Sequence, residues 1–406
     1  MVEAKVSFIT SGTVTSPSGF WAGATYAGIK EKGDGALDLG ILYSEVPCVA
    51  VGLFTTNKIK AAPVVLSQQR LPSAEVRALV VNSGCANASV GKPGLKDAVR
   101  MADLTARKMK APPESALVAS TGVIGKRLPM ELIEEGIGRV TVSRDGGHQL
   151  ARAIMTTDTV PKEAAVAVSG GEDEFIIGGV AKGSGMIHPN LATLLCFLTT
   201  DAPVELDFLG SSLEKAAAVS FNMVSIDGDT SPNDMVLLLA NGLKGNKPIC
   251  GDSQLADGFQ QALNQLCIYL AKGIARDGEG ATKLIEVTVR GALSTKEARM
   301  AARTIASSPL VKAAVHGSDP NWGRIIAALG RSGVAVVESK IDLSIGNIQL
   351  VRAGLPLLFN GEEVVKMLGR SEVPVHLELN LGTASATAWG CDLSEEYVTI
   401  NSAYTT

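Results

Sequence analysis

Apolar and polar positions alternate in short runs over the first ninety residues. VSFITSGTV, LGILYSEV, VAVGLFTTN, APVVLSQQ and ALVVNSG are rich in Val, Ile and Thr and are divided by Gly, Pro and Asn, so each predicts a strand. The period then lengthens. Between Leu95 and Lys110, Ala98, Met101, Ala102, Leu104 and Met109 share one helical face and Lys and Arg take the other, which predicts an amphipathic helix. Strand patterns return in EAAVAVSG, in EFIIGGVAKGSG and over Leu194 to Thr200. A helix is predicted from Asp207 to Val219, a strand from Met235 to Leu239 and a long helix from Gln254 to Arg276. The last third predicts a strand at Lys283 to Val289, a helix at Ser294 to Ala306, strands at Ile341 to Ile348 and Val375 to Leu381, and a β-like tail ending in YVTINSAYTT. Strands that neighbour one another as well as helices favour layered α+β architecture over a strictly alternating parallel sheet. No repeat of solenoid period interrupts the pattern, and GDSQ near Asp252 and the break near Gly330 are the candidate boundaries.

Composition narrows the function more than the fold. Of 406 residues, 46% are hydrophobic and 19% charged, a balance that excludes disorder. The formal charge of −4 and the 4% of aromatic residues leave neither a basic stripe for a duplex nor a stacking platform for single strands, so nucleic acid is not an expected partner. No apolar run approaches the ~18 residues of a membrane span, and the start carries no secretory pattern, so a cytoplasmic protein is expected. Six scattered cysteines (48, 85, 196, 250, 267 and 391) show no ligand spacing and are read as reduced thiols. The only histidines, 148, 188, 316 and 376, are accompanied by no G-x-S-x-G elbow.

Familiar ligand signatures fail on counting. Ser120 stands where a phosphate-binding loop ending in Gly125-Lys126 would need glycine, and His188 occupies the third glycine position of a dinucleotide fingerprint begun by Gly183 and Gly185. The run from Asp227 to Asp234 starts like a calcium loop, but Pro232 sits where the turn requires glycine, so turn geometry is the reading taken and no metal is expected. Two stretches keep chemical interest. An Ala192-Thr193 junction behind the glycine loop KGSG suits a threonine that attacks the preceding carbonyl, is freed by water, and then uses its new α-amine as base. On spacing alone Thr193 reads instead as an ordinary residue entering a strand. In VASTGVIG, the Thr121 hydroxyl and the Gly122 N–H could serve an oxyanion, or the glycine could simply make a turn.

Eight collinear segments give the chain a resemblance that runs through nearly its whole length: VNSGCANA (81–88), ASTGVIG (119–125), AIMTTDTVPK (153–162), KGSGMIHPNLATLL (182–195), FNMVSIDGDTSPND (221–234), DGEGATK (277–283), GSDPNWGR (317–324) and the terminal INSAYTT. Together they resemble the ornithine acetyltransferases, the glutamate N-acetyltransferases of arginine biosynthesis. Cys85, His188, Leu191 and Pro232 depart from the usual pattern without removing a functional group.

The resemblance implies an α+β fold of αββα type, cut by the protein itself between Ala192 and Thr193 into interleaved chains of 1–192 and 193–406. It implies Thr193 as nucleophile, Thr121 and Gly122 as oxyanion hole, and substrate contacts at Thr156, Lys182, Thr193, Glu279, Asn401 and Thr406. The implied reaction moves acetyl from N2-acetylornithine to glutamate through an acetyl ester, in an assembly of two chains of each kind, without metal or organic cofactor. Acetyl-CoA stays open as a second donor. An amidase or aminopeptidase built on the same nucleophile, and a non-catalytic amino-acid-binding protein, are the competing readings.

Overall fold

A computed structural model describes residues 4–30, 36–170, 173–188, 194–245 and 247–403. The strands are β1 (Lys5–Phe8), β2 (Phe20–Thr25), β3 (Leu39–Phe54), β4 (Ser73–Cys85), β5 (Ala116–Val123), β6 (Lys162–Gly170), β7 (Asp173–Lys182), β8 (Leu195–Thr200), β9 (Val224–Ser225), β10 (Met235–Ala240), β11 (Leu284–Ala292), β12 (Asp342–Ile345), β13 (Ile348–Arg352), β14 (Leu355–Pro356), β15 (Glu372–Glu378) and β16 (Ala384–Cys391). The helices are α1 (Ala62–Gln69), α2 (Gly91–Lys108), α3 (Met130–Arg139), α4 (Gly147–Ala153), α5 (Leu206–Ala218), α6 (Ala256–Arg276), α7 (Thr295–Ala306), α8 (Pro309–His316), α9 (Gly323–Gly330), α10 (Gly361–Leu368) and α11 (Glu395–Ala403).

Two mixed sheets result, an α+β fold as the pattern predicts. The first runs β1-β6-β7-β8-β10-β3-β4-β5, with β2 also on β3; the second runs β14-β13-β12-β15-β11-β16-β9. Strand β10, MVLLLA, shows why so few polar residues interrupt the centre of the first sheet. Its Val236, Leu238 and Ala240 enter one core cluster, while Met235, Leu237 and Leu239 enter another. A strand covered on both faces has no polar face to offer. Helix α6 presents Phe259, Leu263, Leu266, Leu270 and Ile274 to the larger cluster and packs on strands of both sheets. That cluster runs from Val51 to Cys391, so neither Asp252 nor Gly330 divides the chain into separate cores.

Three sequence expectations change. APVVLSQQ is helix α1, not a strand: Pro63 lies in its first turn, where the missing N–H costs nothing, and the Ser67 hydroxyl donates to the Val118 carbonyl and accepts from its N–H. The β-like tail is helix α11, with Glu395 and Glu396 in the first turn, where carboxylates favour the positive end of the helix dipole. The stretch Ile341 to Ile348 is a hairpin, turned at Gly346 with φ +59°. Helices α3, α4, α8, α9 and α10 have no counterpart in the sequence expectations; each is ten residues or shorter and gives periodicity little length to register.

Candidate active site

Of the expected site residues, Thr121 and Gly122 lie at the end of β5 and Lys182 ends β7. Strands β4 and β5 run parallel, and Gly84 faces Gly122 across them. Gly122 has φ +125°, and a Cβ there would stand 2.4 Å from the Gly84 carbonyl carbon and 2.7 Å from the Cys85 nitrogen. Only glycine fits this position. Thr121, next to it, is 6% exposed. Ala192, Thr193 and Thr406 lie outside the described residues, but the neighbours of Thr193 are placed. Leu194 accepts the Met235 N–H at 3.1 Å, and two residues earlier in that segment the Asn233 amide donates to Ser120 O at 2.8 Å and Ala86 O at 2.7 Å. The residues adjoining Thr121 and Thr193 are thus tied to one short piece of chain.

Lys182 ends β7 opposite Leu195 of β8. Its ammonium is 3% exposed by residue, donates to the Thr156 hydroxyl at 2.7 Å and stands 3.6 Å from Asp158. Asp158 also accepts the Gly183 and Thr156 N–H groups at 2.7 and 3.0 Å and the Lys162 ammonium at 2.7 Å. Lys162 in turn donates to Asp277 at 2.6 Å, and Asp277 receives Thr159 through both its N–H and its hydroxyl. Burial opposes the charged form of Asp158, yet the ammonium groups of Lys182 and Lys162 outweigh it and hold the carboxyl well below the usual carboxylate range. The row Lys182, Asp158, Lys162, Asp277 is therefore an alternating chain of buried charges.

Two residues past Asp277, Glu279 donates its N–H to Ser184 O at 2.8 Å and lays its carboxylate on Gly185, where a Cβ would meet it at 2.4 to 2.6 Å. Asn401 of α11 donates to Glu279 Oε2 at 2.8 Å. Lys182, Thr156, Glu279 and Asn401 are thus united around the 182–185 loop. A buried cation and a carboxylate at one loop can receive an amino acid, which carries both charges.

Lys30 escaped the sequence reading. Its stem packs on Gly84, and its ammonium donates to Leu37 O at 2.9 Å. Burial brings its pKa down to about 8, against the attraction of Asp38 and with the repulsion of Lys182. Asp38, buried, accepts four successive N–H groups from Ala27 to Lys30, which fixes that segment beside Gly84. Nothing in the local pattern marks Lys30 or Asp38. Asp158, Lys162 and Asp277 all stand inside matched segments, but that Lys162 joins the two carboxylates is visible only in three dimensions. Among the described residues no three His, Cys, Asp or Glu side chains converge as a metal site would require, and no helix is long and apolar enough to cross a membrane.

Fold and site together define an α+β protein in which the buried Lys182 and the Glu279 carboxylate stand at one glycine loop. The ArgJ family profile matches residues 21–406. The arginine biosynthesis bifunctional protein ArgJ of Dehalococcoides mccartyi is 51% identical over 405 residues, covering 100% of both chains, and that of Oceanobacillus iheyensis is 45% identical over 99% of this chain and 98% of its own. Among solved structures, the ArgJ protein of Bacillus halodurans is 44% identical with a TM-score of 0.50, covering 51% of this chain and 98% of its own. An ornithine acetyltransferase of Mycobacterium tuberculosis, solved with ornithine, is 39% identical with a TM-score of 0.43, covering 46% of this chain and 100% of its own. The chain belongs to the ArgJ family.

Proposed function

We propose that this protein transfers acetyl from N2-acetyl-L-ornithine to L-glutamate in arginine biosynthesis, with Thr193 as nucleophile. The observation that carries the reading is the joining of Lys182, Thr156, Glu279 and Asn401 at a loop whose far side enters β8. Lys182 pairs the α-carboxylate shared by donor and acceptor, and Glu279 and Asn401 meet the remaining polar groups. The Thr193 hydroxyl first attacks the Ala192 carbonyl, the C–N bond breaks as an ester forms, and water hydrolyses that ester, which frees the α-amine of Thr193 and leaves fragments of 192 and 214 residues. A solved relative aligned along 98% of its own chain yet covering 51% of this one has the length such a fragment would have.

In the first half-reaction Thr193 Oγ attacks the acetyl carbonyl and its proton passes to the α-amine. Thr121 and Gly122 donate to the oxyanion; then the C–N bond breaks, the leaving nitrogen takes the proton, and the acetyl ester remains. In the second, the glutamate amine attacks the ester, the C–O bond breaks, and the amine's surplus proton returns through the α-amine to Thr193 Oγ. These steps call on no metal or organic cofactor. Acetyl-CoA stays open as a second donor, the relatives being named bifunctional. Two pairs of fragments associate, in the cytoplasm.

Incubation with N2-acetylornithine alone should add one acetyl group to the 214-residue fragment by intact mass, and glutamate should then remove it as N-acetylglutamate. Thr193→Ala should stay one chain and take no acetyl. Release of free acetate in place of N-acetylglutamate would instead assign a hydrolase.

A further inference from the structure

Strand β5 ends the first sheet, so β4 pairs with one of its edges and the other is open to side chains. In an extended strand the N–H and C=O of one residue point to one side and those of the next residue to the other. Val118 turns both groups to the open edge: its N–H donates to the Ser67 hydroxyl of α1 at 3.0 Å, and its C=O accepts from that hydroxyl at 2.7 Å. Ser120 turns the same way, and its C=O accepts the Asn233 amide at 2.8 Å. Gly122 is next in this series. Its φ of +125° is a rotation that follows its N–H, so the N–H keeps the direction set by Thr121 and faces the open edge too. Val123 completes the alternation, for its C=O turns back and accepts the Ala86 N–H at 2.9 Å.

The same Asn233 nitrogen donates to Ala86 O at 2.7 Å, just past the end of β4. Both partners are carbonyls, so the amide presents its NH2 end to them. One buried side chain therefore ties Ser120, two residues before Gly122, to Ala86, two residues after the facing Gly84. Asn233 is itself held from behind. Its N–H donates to the Ser231 hydroxyl at 3.0 Å, and the Thr55 hydroxyl donates to Ser231 O at 2.7 Å. The Thr55 and Ala61 N–H groups donate to Asp234 O and Pro232 O at 3.0 and 2.9 Å. The stretch 55–61 that braces Asn233 leads directly into α1, which carries Ser67.

We propose that Asn233 is a positioning residue for acetyl transfer: by holding the Ser120 and Ala86 carbonyls it fixes the direction of the Gly122 N–H at the open edge of β5. The inference rests on the oxyanion role given above to Thr121 and Gly122, and it deepens that reading. In this role Asn233 acts through the backbone of β5 and touches no reacting atom. The demand on it is geometric, because an oxyanion donor works only within a narrow range of distance, and an aim set before the reaction costs no reorganisation during it.

The test compares Asn233→Ala with Ser67→Ala, reading kcat and KM for N2-acetylornithine on cleaved protein and the melting temperature of each. Both substitutions take hydrogen bonds from the open edge of β5, but only Asn233 bonds beside the two glycines. A misplacement of about 1 Å can cost on the order of 10²-fold in rate. Asn233→Ala should therefore lower kcat by about ten- to a hundredfold and leave KM within about twofold, the pattern of an interaction made only in the transition state. Ser67→Ala should melt lower and keep kcat within about twofold, which a loss of strand order in general would not allow. Unchanged kcat in Asn233→Ala overturns the proposal, as does an equal loss in Ser67→Ala or a loss carried by KM. Where Asn233→Ala does not fold or cleave, Asn233→Ser, which keeps one donor, is read by the same criteria. If neither variant yields folded, cleaved protein, Asn233 serves the making of the enzyme and not its turnover, and the proposal falls. An unsubstituted protein that takes no acetyl from N2-acetylornithine sinks the transferase reading itself; one that does, with Asn233→Ala equally fast, sinks this inference alone.

Discussion

Replacing Lys162 by methionine tests the buried charge chain directly. The Lys162 ammonium bridges Asp158 at 2.7 Å and Asp277 at 2.6 Å, and all three side chains are at most 6% exposed. Methionine keeps much of the stem and removes the charge, which leaves two buried carboxylates facing each other across the vacated position. Removing one partner of a buried ion pair typically costs about 3 to 5 kcal/mol, because the charge left behind is uncompensated. For a chain of this size that corresponds to a fall in melting temperature on the order of 4 to 6 °C. A functional effect follows from the same geometry. With Lys162 gone, Lys182 is the one cation left within 4 Å of Asp158 among the described residues, so it is drawn toward that carboxylate and away from the substrate. KM for N2-acetylornithine should rise more than kcat falls. Calorimetry and steady-state assays on purified Lys162→Met measure both effects. A melting temperature within a degree of the unsubstituted protein, with KM unchanged, would refute the argument that these charges are dry and coupled.

Two further outcomes are expected. Thr121→Ala should lower turnover by about 10²- to 10³-fold with little change in KM, as loss of one oxyanion donor does; unchanged turnover in fully cleaved protein would leave Gly122 as the sole donor. Lys30 carries a pKa of about 8 when folded against 10.5 as the ordinary value, so between those pH values the unfolded chain binds a proton that the folded chain has shed. Stability contributed by this residue must then rise with pH. The advantage of Lys30→Met over the unsubstituted protein in urea unfolding should therefore be larger at pH 7 than at pH 10, and the opposite trend would show that burial does not depress this amine.

What the sequence could reveal follows from how far each feature reaches along the chain. Strands with covered faces, such as Met235–Ala240, are legible because an unbroken apolar run is itself the consequence of double burial. Helix α1 was misread because Val64 and Val65 favour strands in isolation, whereas Pro63 and the contact of Ser67 with β5 decide the matter. Lys182 and Glu279 were named from their segments, and the structure brings their loops together. The lysine that links those loops was not named, for its bond to Asp277 spans 115 residues and no local spacing encodes it. Lys30 was missed for the same reason: a lysine near the start of the chain gains its character from Gly84 and the charges around it.

The order of strands in the first sheet reaches beyond the site. Strands β8 and β10 lie between β7 on one side and β3 on the other, so chain from after residue 193 is walled in by chain from before it. A break between β7 and β8 leaves the ladder intact, since every hydrogen bond of that region runs sideways to a neighbour and none depends on the severed link. The same break changes what unfolding means. An intact chain regains its sheet in a first-order process, but two separated pieces must meet, and the inner strands of one must slide between strands of the other. On the proposed cleavage, refolding of cut protein should therefore slow on dilution while that of Thr193→Ala does not, and the molecule would have one opportunity, before the cut, to fold on its own.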